Sequence, residues 1–274
     1  MAQKKLVYRH SGWVRSTHWI NVLALLVLLM SGLQIFNAHP ALYFGSASTF
    51  DAPAVAMTYE RTDEGYRGVT EIFGKSYDTT GWLGGGEDAD GEFTRYGFPW
   101  SITLPGFRSL AMGRHWHFFF AWVFVINGLI YLIYSLTSGH LRRDLTPDGK
   151  EIKGIGHSIV EHAKFRFDHG NSYNVLQKLS YLVVILVLLP LMLGTGLTMS
   201  PGMDAAFPWL LDIFGGRQSA RTIHFISATL IVLFVVVHVF MVLVSGVWNN
   251  LRSMVTGRYA VRTDEPAHAK EAAE

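Results

Sequence analysis

The sequence has no cysteine. That excludes disulfides, thiolate-held iron–sulfur clusters, covalent c-type haem attachment and cysteine-based zinc sites within this chain. Charge is scarce too: 16% of the 274 residues are Asp, Glu, Lys or Arg, and the formal net charge is +2. So small a balance gives no electrostatic footprint for nucleic acid. Carboxylates are missing from the long apolar runs altogether. Their absence argues against a proton relay or an oxygen-ligated metal ion inside those runs.

What is there is apolar. Half of the chain is hydrophobic, and four runs are long enough to cross a bilayer: Ile20–Phe36, His117–Leu136, Leu179–Thr198 and Ile223–Val247. Pro190 and Gly194 interrupt the third, which membrane helices tolerate when neighbours satisfy the backbone. Lys4 and Lys5 precede the first run as in a signal peptide, but the run is long for a signal core and lacks a small-x-small cleavage site. The reading is an all-α integral membrane protein, a four-helix transmembrane bundle with a large extracytoplasmic loop between helices 1 and 2. Its expected parts are 1–36 (N-terminal segment and first span), 37–113 (periplasmic insertion), 114–138 (second span) and 139–173 (cytoplasmic loop with a candidate interfacial helix). After these come 174–198 (third span), 199–220 (periplasmic loop), 221–248 (fourth span) and 249–274 (cytoplasmic tail, expected to be disordered after Arg262).

Lys and Arg set the direction. The N-terminus, the loop between spans two and three, and the C-terminus carry 15, while the other two loops carry 8. Positive loops stay inside, so both termini are expected in the cytoplasm of a bacterial inner membrane. The insertion is rich in Gly and aromatics ("TTGWLGGG", "YGFPWSITLPGF"), which reads as folded rather than disordered.

The fourth run, "RTIHFISATLIVLFVVVHVF", holds His224 and His238, fourteen residues apart. Fourteen steps of 100° bring them to one helix face, about 21 Å apart along the axis. They cannot share one ion. With alternating span direction, His18 at the start of span one can meet only His238, and His115 or His117 can meet only His224. Two histidine pairs at two depths fit two bis-histidine haems. Zinc would want about four ligands per site, which the spans do not supply.

Three of these histidines follow an arginine by three residues: "RSTH" (Arg15, His18), "RHWH" (Arg114, His117) and "RTIH" (Arg221, His224). An arginine at i−3 shares the histidine's face and can bind a haem propionate. The repeat favours His117 over His115 as the ligand. For a single arginine the plain alternative is anchoring at the membrane boundary. Gly32 and Gly128 fall where their helices would pass a haem they do not ligate, so they could leave room for a porphyrin, although glycine also serves helix packing. His10, His39, His140, His157, His162, His169 and His268 lie in loops, ends or tails and receive no role.

These residues, with "SG" closing span one, "RHWHF", "RTIHF", His238 and "SYNVLQKLSY" (Ser172–Tyr181), carry a resemblance. The chain resembles the membrane cytochrome b subunits of nickel–iron hydrogenases, formate dehydrogenases and thiosulfate reductases, to which bacterial cytochrome b561 is related. The resemblance implies two haem b groups. His18 and His238 would ligate the cytoplasmic-side haem, and His117 and His224 the periplasmic-side haem. It further implies a quinone site near Asn174 and Gln177, although "GNSYN" also reads plainly as a helix start capped by Asn171 or Ser172. The long outer loop departs from the family. It suits either docking of a catalytic or electron-carrier subunit (molybdoenzyme, hydrogenase or similar) or shielding of a haem.

The function implied is electron relay between quinone and a periplasmic partner, by an electron-transfer subunit embedded in membrane lipid. Whether the chain is itself an enzyme stays open. One alternative is a stand-alone cytochrome b561-type quinone oxidoreductase, such as a superoxide oxidase, with Arg114, Arg217 and Arg221 steering the anion. Another is a non-redox transporter or anchor, which inverted repeats and broken midplane helices would mark.

Overall fold

The computed structural model describes residues 3–88, 90–106, 108–164 and 174–263, without the side chains of residues 3, 4, 162, 163, 262 and 263. The candidate caps Asn171 and Ser172, the side chain of His162, and His169, His268 and the tail after Thr263 lie outside the described residues.

Four helical stretches are long and apolar enough to cross a membrane: Gly12–Phe36 (α1), Leu110–Thr137 (α2), Val175–Met199 and Arg217–Val244. The shortest has 25 residues. At 1.5 Å per residue that is about 37 Å, more than the roughly 30 Å of hydrocarbon. Each begins several residues before its apolar run, so all three Arg-x-x-His motifs lie inside helices. The third stretch has three parts: α5 (Val175–Val183), a π-helical turn (Val184–Leu188) and α6 (Leu189–Met199). The widened turn lies just before Pro190, which has no N–H to return to the preceding turn. Two short helices, α7 (Pro201–Ala206) and α8 (Trp209–Ile213), come next. The fourth stretch, α9 (Arg217–Val244), stops short of Val247 because Gly246 takes φ 109°, outside the helical region; α10 (Val247–Thr256) follows.

The chain forms two compact units, and each of the four stretches contributes to both. The first comprises Met1–Trp19, Ile130–Val183 and Leu233–Glu274. In it β1 (Gln3–Tyr8) pairs antiparallel with β8 (Arg258–Thr263), Gln3 opposite Thr263 and Tyr8 opposite Arg258. Two short helices, α3 (Gly149–Lys153) and α4 (Ile155–Ala163), lie between spans two and three. Asp148 caps α3, taking N–H bonds from Lys150 and Glu151. Glu151 accepts an ion pair from the buried Lys178 of α5 at 2.8 Å.

The second unit comprises Ile20–Leu129 and Val184–Val232. Its insertion, residues 37–109, is built from strands, which corrects the all-α expectation. β2 (Ala41–Leu42), β3 (Val55–Thr62), β4 (Gly65–Ile72) and β5 (Lys75–Asp78) form one antiparallel sheet in that order. β6 (Gly84–Glu87) and β7 (Phe93–Tyr96) form a hairpin against it. "VAMTYERT" and "GYRGVTEI" are rich in β-branched and aromatic residues and flank the turn Asp63–Glu64, so they zip up as a hairpin. The hairpins meet backbone to backbone. A Cβ on Gly68 would stand 2.5 Å from the Leu83 carbonyl, and one on Gly84, which has φ 83°, would run into the Thr58 carbonyl. That close approach is what "GGG" permits.

The insertion is sewn to α1 and α9. The Asn37 carboxamide binds the Gly97 and Phe98 N–H groups and the Phe98 carbonyl. The Thr222 hydroxyl donates to the Tyr43 carbonyl at 2.6 Å, and the Gly45 N–H to Ser219 Oγ at 2.8 Å. Phe36, Leu42 and Met57 form the buried core beneath, with Phe98 and Phe225 packed on it.

Candidate haem-binding site

The four histidines come together as two pairs. His117 of α2 faces His224 of α9 with ring centres 6.3 Å apart, and His18 of α1 faces His238 of α9 at 6.4 Å. A metal–imidazole bond of about 2 Å on each side of one ion, plus roughly 1 Å of ring radius each, puts ring centres about 6 Å apart. Both pairs therefore have the spacing of two imidazoles sharing one metal. His115 is exposed and takes no part. Among the described residues no three His, Asp or Glu side chains converge. A ligand set of two histidines suits a metal whose other ligands arrive with it, as a porphyrin's four nitrogens do.

The His117–His224 pair is preorganised by hydrogen bonds. Nδ1 of His117 lies 3.1 Å from both the Leu28 carbonyl and Ser31 Oγ. The Ser31 hydroxyl is already donated to the Val27 carbonyl at 2.6 Å, so the imidazole must be the donor. Nδ1 of His224 lies 3.0 Å from Thr195 Oγ1, whose own hydrogen goes to the Leu191 carbonyl at 2.6 Å. Both rings therefore carry their proton on Nδ1 and leave the Nε2 lone pair for a metal. Each ring also rests on a glycine. A Cβ on Gly32 would stand 3.3 Å from His117 Cε1, and one on Gly196 would stand 3.4 Å from His224 Cε1. Gly32 thus gives its space to the imidazole.

The His18–His238 pair is held differently. His18 Nδ1 is buried without a hydrogen-bond partner. His18 meets the Trp19 ring edge-on at 5.2 Å, and His238 stacks on Phe234 at 5.9 Å with Tyr181 at 6.5 Å. Nearby, His10 is 8% exposed. Burial, then the charges of Arg9, His140, His18 and Arg15, lower its pKa to about 4.

The three arginines have partners of their own. Arg15 Nη1 donates to the Val255 carbonyl while its Nε is buried without a partner. Arg114 is exposed and sits 5.7 Å from the Phe118 ring. Arg221 donates to the carbonyls of His39 and Ala41, the latter at 2.7 Å, and lies 5.2 Å over the Phe36 ring. Asn174 and Gln177 cap α5: Asn174 Oδ1 accepts the Leu176 N–H at 2.8 Å, and Gln177 Oε1 accepts the Asn174 N–H at 3.2 Å.

In the sequence Ser31 enters only within the "SG" of the resemblance, and Thr195 and Gly196 carry no expectation, yet a signal existed. "SG" at 31–32 and "TG" at 195–196 are the same device, a hydroxyl and a bare backbone offered to one imidazole.

Spanning helices that hold facing histidine pairs define a membrane haem protein of the cytochrome b class. The sequence model of the prokaryotic cytochrome b561 family matches residues 9–257, and the chain belongs to that family. Family membership implies haem b as cofactor. The chain is also similar to a putative protein-methionine-sulfoxide reductase subunit, YedZ1, of Azospira oryzae. The two are 28% identical over 256 residues, covering 93% of this chain and 98% of that one. No solved structure matches the chain.

Proposed function

We propose that the protein is a di-haem cytochrome b that relays electrons between the quinone pool and a periplasmic redox partner. The two facing histidine pairs carry this reading. His117 and His224 would hold one haem iron and His18 and His238 the other, with Arg114, Arg221 and Arg15 available to the propionates. Bound haem would supply one-electron transfer. The chain's own residues fix the imidazoles, exclude water from them and neutralise the carboxylates. A quinone is placed near Asn174 and Gln177, two turns and one turn before Tyr181, which packs on His238. Both termini are placed in the cytoplasm of a bacterial inner membrane and the insertion in the periplasm. The relative's name supports a catalytic reductase subunit as the partner, with electrons leaving the quinol.

A pyridine haemochrome assay with protein quantitation tests the site. Two b haems per chain are expected in the wild type, with His224→Ala and His238→Ala each losing one. Folded protein without haem would sink the relay.

A further inference from the structure

The insertion has an electrostatic character of its own. Residues 37–109 hold ten carboxylates and five basic groups, a net charge of −5 in a chain whose total is +2. Six of the carboxylates, Asp63, Glu64, Glu87, Asp88, Asp90 and Glu92, sit exposed at the tips of the β3–β4 and β6–β7 hairpins. The two tips are neighbours. Between them Tyr59, Tyr66 and Phe93 form one aromatic patch, with ring centres 5.5 Å (Tyr66–Phe93), 5.7 Å (Tyr59–Tyr66) and 6.0 Å (Tyr59–Phe93) apart. Tyr59 is 41% and Tyr66 50% exposed. Arg95 lies over Tyr59, and Arg67 is spent on Glu60 at 2.8 Å. Asp88 is held below the usual carboxylate range by N–H bonds from Glu92 and Asp90 and by the Thr94 hydroxyl, so it stays ionised.

An aromatic centre with a charged rim is the anatomy of a protein interface. The sign of the rim selects the occupant. An anionic bilayer surface would be repelled, and so would a second copy presenting the same carboxylates. A basic protein surface would be attracted and steered. The glycine-locked hairpins make the patch rigid, and the seams fix it to α9, which carries His224, and to α1, whose Leu28 and Ser31 hold His117. Positive-inside sorting alone would deplete lysine and arginine from this segment. It would not gather six carboxylates around three aromatic rings.

We propose that the Tyr59–Tyr66–Phe93 face, with its carboxylate rim, is the docking surface for a soluble redox protein whose contact face is rich in lysine or arginine. This rests on the relay reading and names the partner's chemistry.

The test uses the full haem-loaded protein in detergent, reduced with dithionite and mixed in a stopped-flow instrument with one of two oxidised probes. One is a strongly basic mitochondrial-type cytochrome c, the other an acidic flavodoxin. The basic probe is expected to react faster at low salt, with its rate falling about tenfold between roughly 0.01 M and 0.3 M salt. Reversing Asp63, Glu64, Asp90 and Glu92 to lysine should cost about tenfold at low salt and flatten the salt dependence. Tyr66→Ala should slow the reaction and keep the salt slope. If the reversal fails to fold, the isosteric Asn and Gln variants at the same four positions carry the test, with haem content as the control. A basic probe indifferent to salt and to these variants, or outpaced by the acidic one, overturns the proposal. Haem reduction by a quinol, measured separately without either probe, reports on the relay reading: its failure beside a salt-dependent probe reaction removes the relay and keeps the docking face.

Discussion

At the residue scale, the two histidine pairs differ in what stands behind them. Donation from Nδ1–H makes an imidazole a stronger ligand and favours the oxidised metal. Thr195→Val, which removes an acceptor from His224, should therefore raise the midpoint potential of the haem proposed to be held by His117 and His224. Thr195→Ser should keep it. A spectroscopic redox titration on detergent-solubilised protein reads both. His10 makes a separate prediction. Its pKa falls from 6.5 to about 4 on folding, so between those values the unfolded chain binds the extra proton. The stability it contributes is complete above pH 6.5 and is lost as pH falls toward 4, at most about 1.4 kcal/mol per pH unit. Thermal melting from pH 7 to pH 5 should show a falling midpoint, with a shallower fall in His10→Gln. The histidine pairing was legible because helical periodicity and alternating span direction leave few ways to pair them. The hydroxyls behind them were not, since serine and threonine in membrane helices commonly bond their own backbone, as Ser31 and Thr195 also do.

At the element scale, the spans were legible from apolar length, and the second and fourth helices begin at Leu110 and Arg217, about a turn before the expected 114 and 221. The β3–β4 hairpin was there to be read in strand-forming residues around "TDEG", but the membrane signal next to it dominated. Its consequence is testable. Gly84→Ala puts a methyl group against the Thr58 carbonyl at a φ that suits glycine. Limited proteolysis should then cut within residues 55–96 at least tenfold faster, while the haem spectrum stays unchanged. Loss of haem in the same variant would show instead that the insertion holds the histidines in place.

At the scale of the whole molecule, charge is sorted along the chain: 15 of the 23 Lys and Arg lie in the segments assigned to the cytoplasm, and the insertion is acidic. That sorting separates two functions. A stand-alone superoxide oxidase should gather an anion, so the purified chain should turn over superoxide with quinone at high rate. The relay reading expects no turnover above the uncatalysed rate, and assay of the single subunit decides. Pairing of β1 with β8 is the least legible feature, since no local pattern in "QKKLVY" names a partner some 250 residues away. It has a consequence for synthesis. Residues 3–8 leave the ribosome before any of the spans and 258–263 only after all four, at about 5–20 residues per second. The first strand therefore waits with an open edge while the four spans are made. Its closure is a late event that only a chain with every span already made can reach, so a chain stalled before Arg258 would keep an unpaired strand by which a protease could know it.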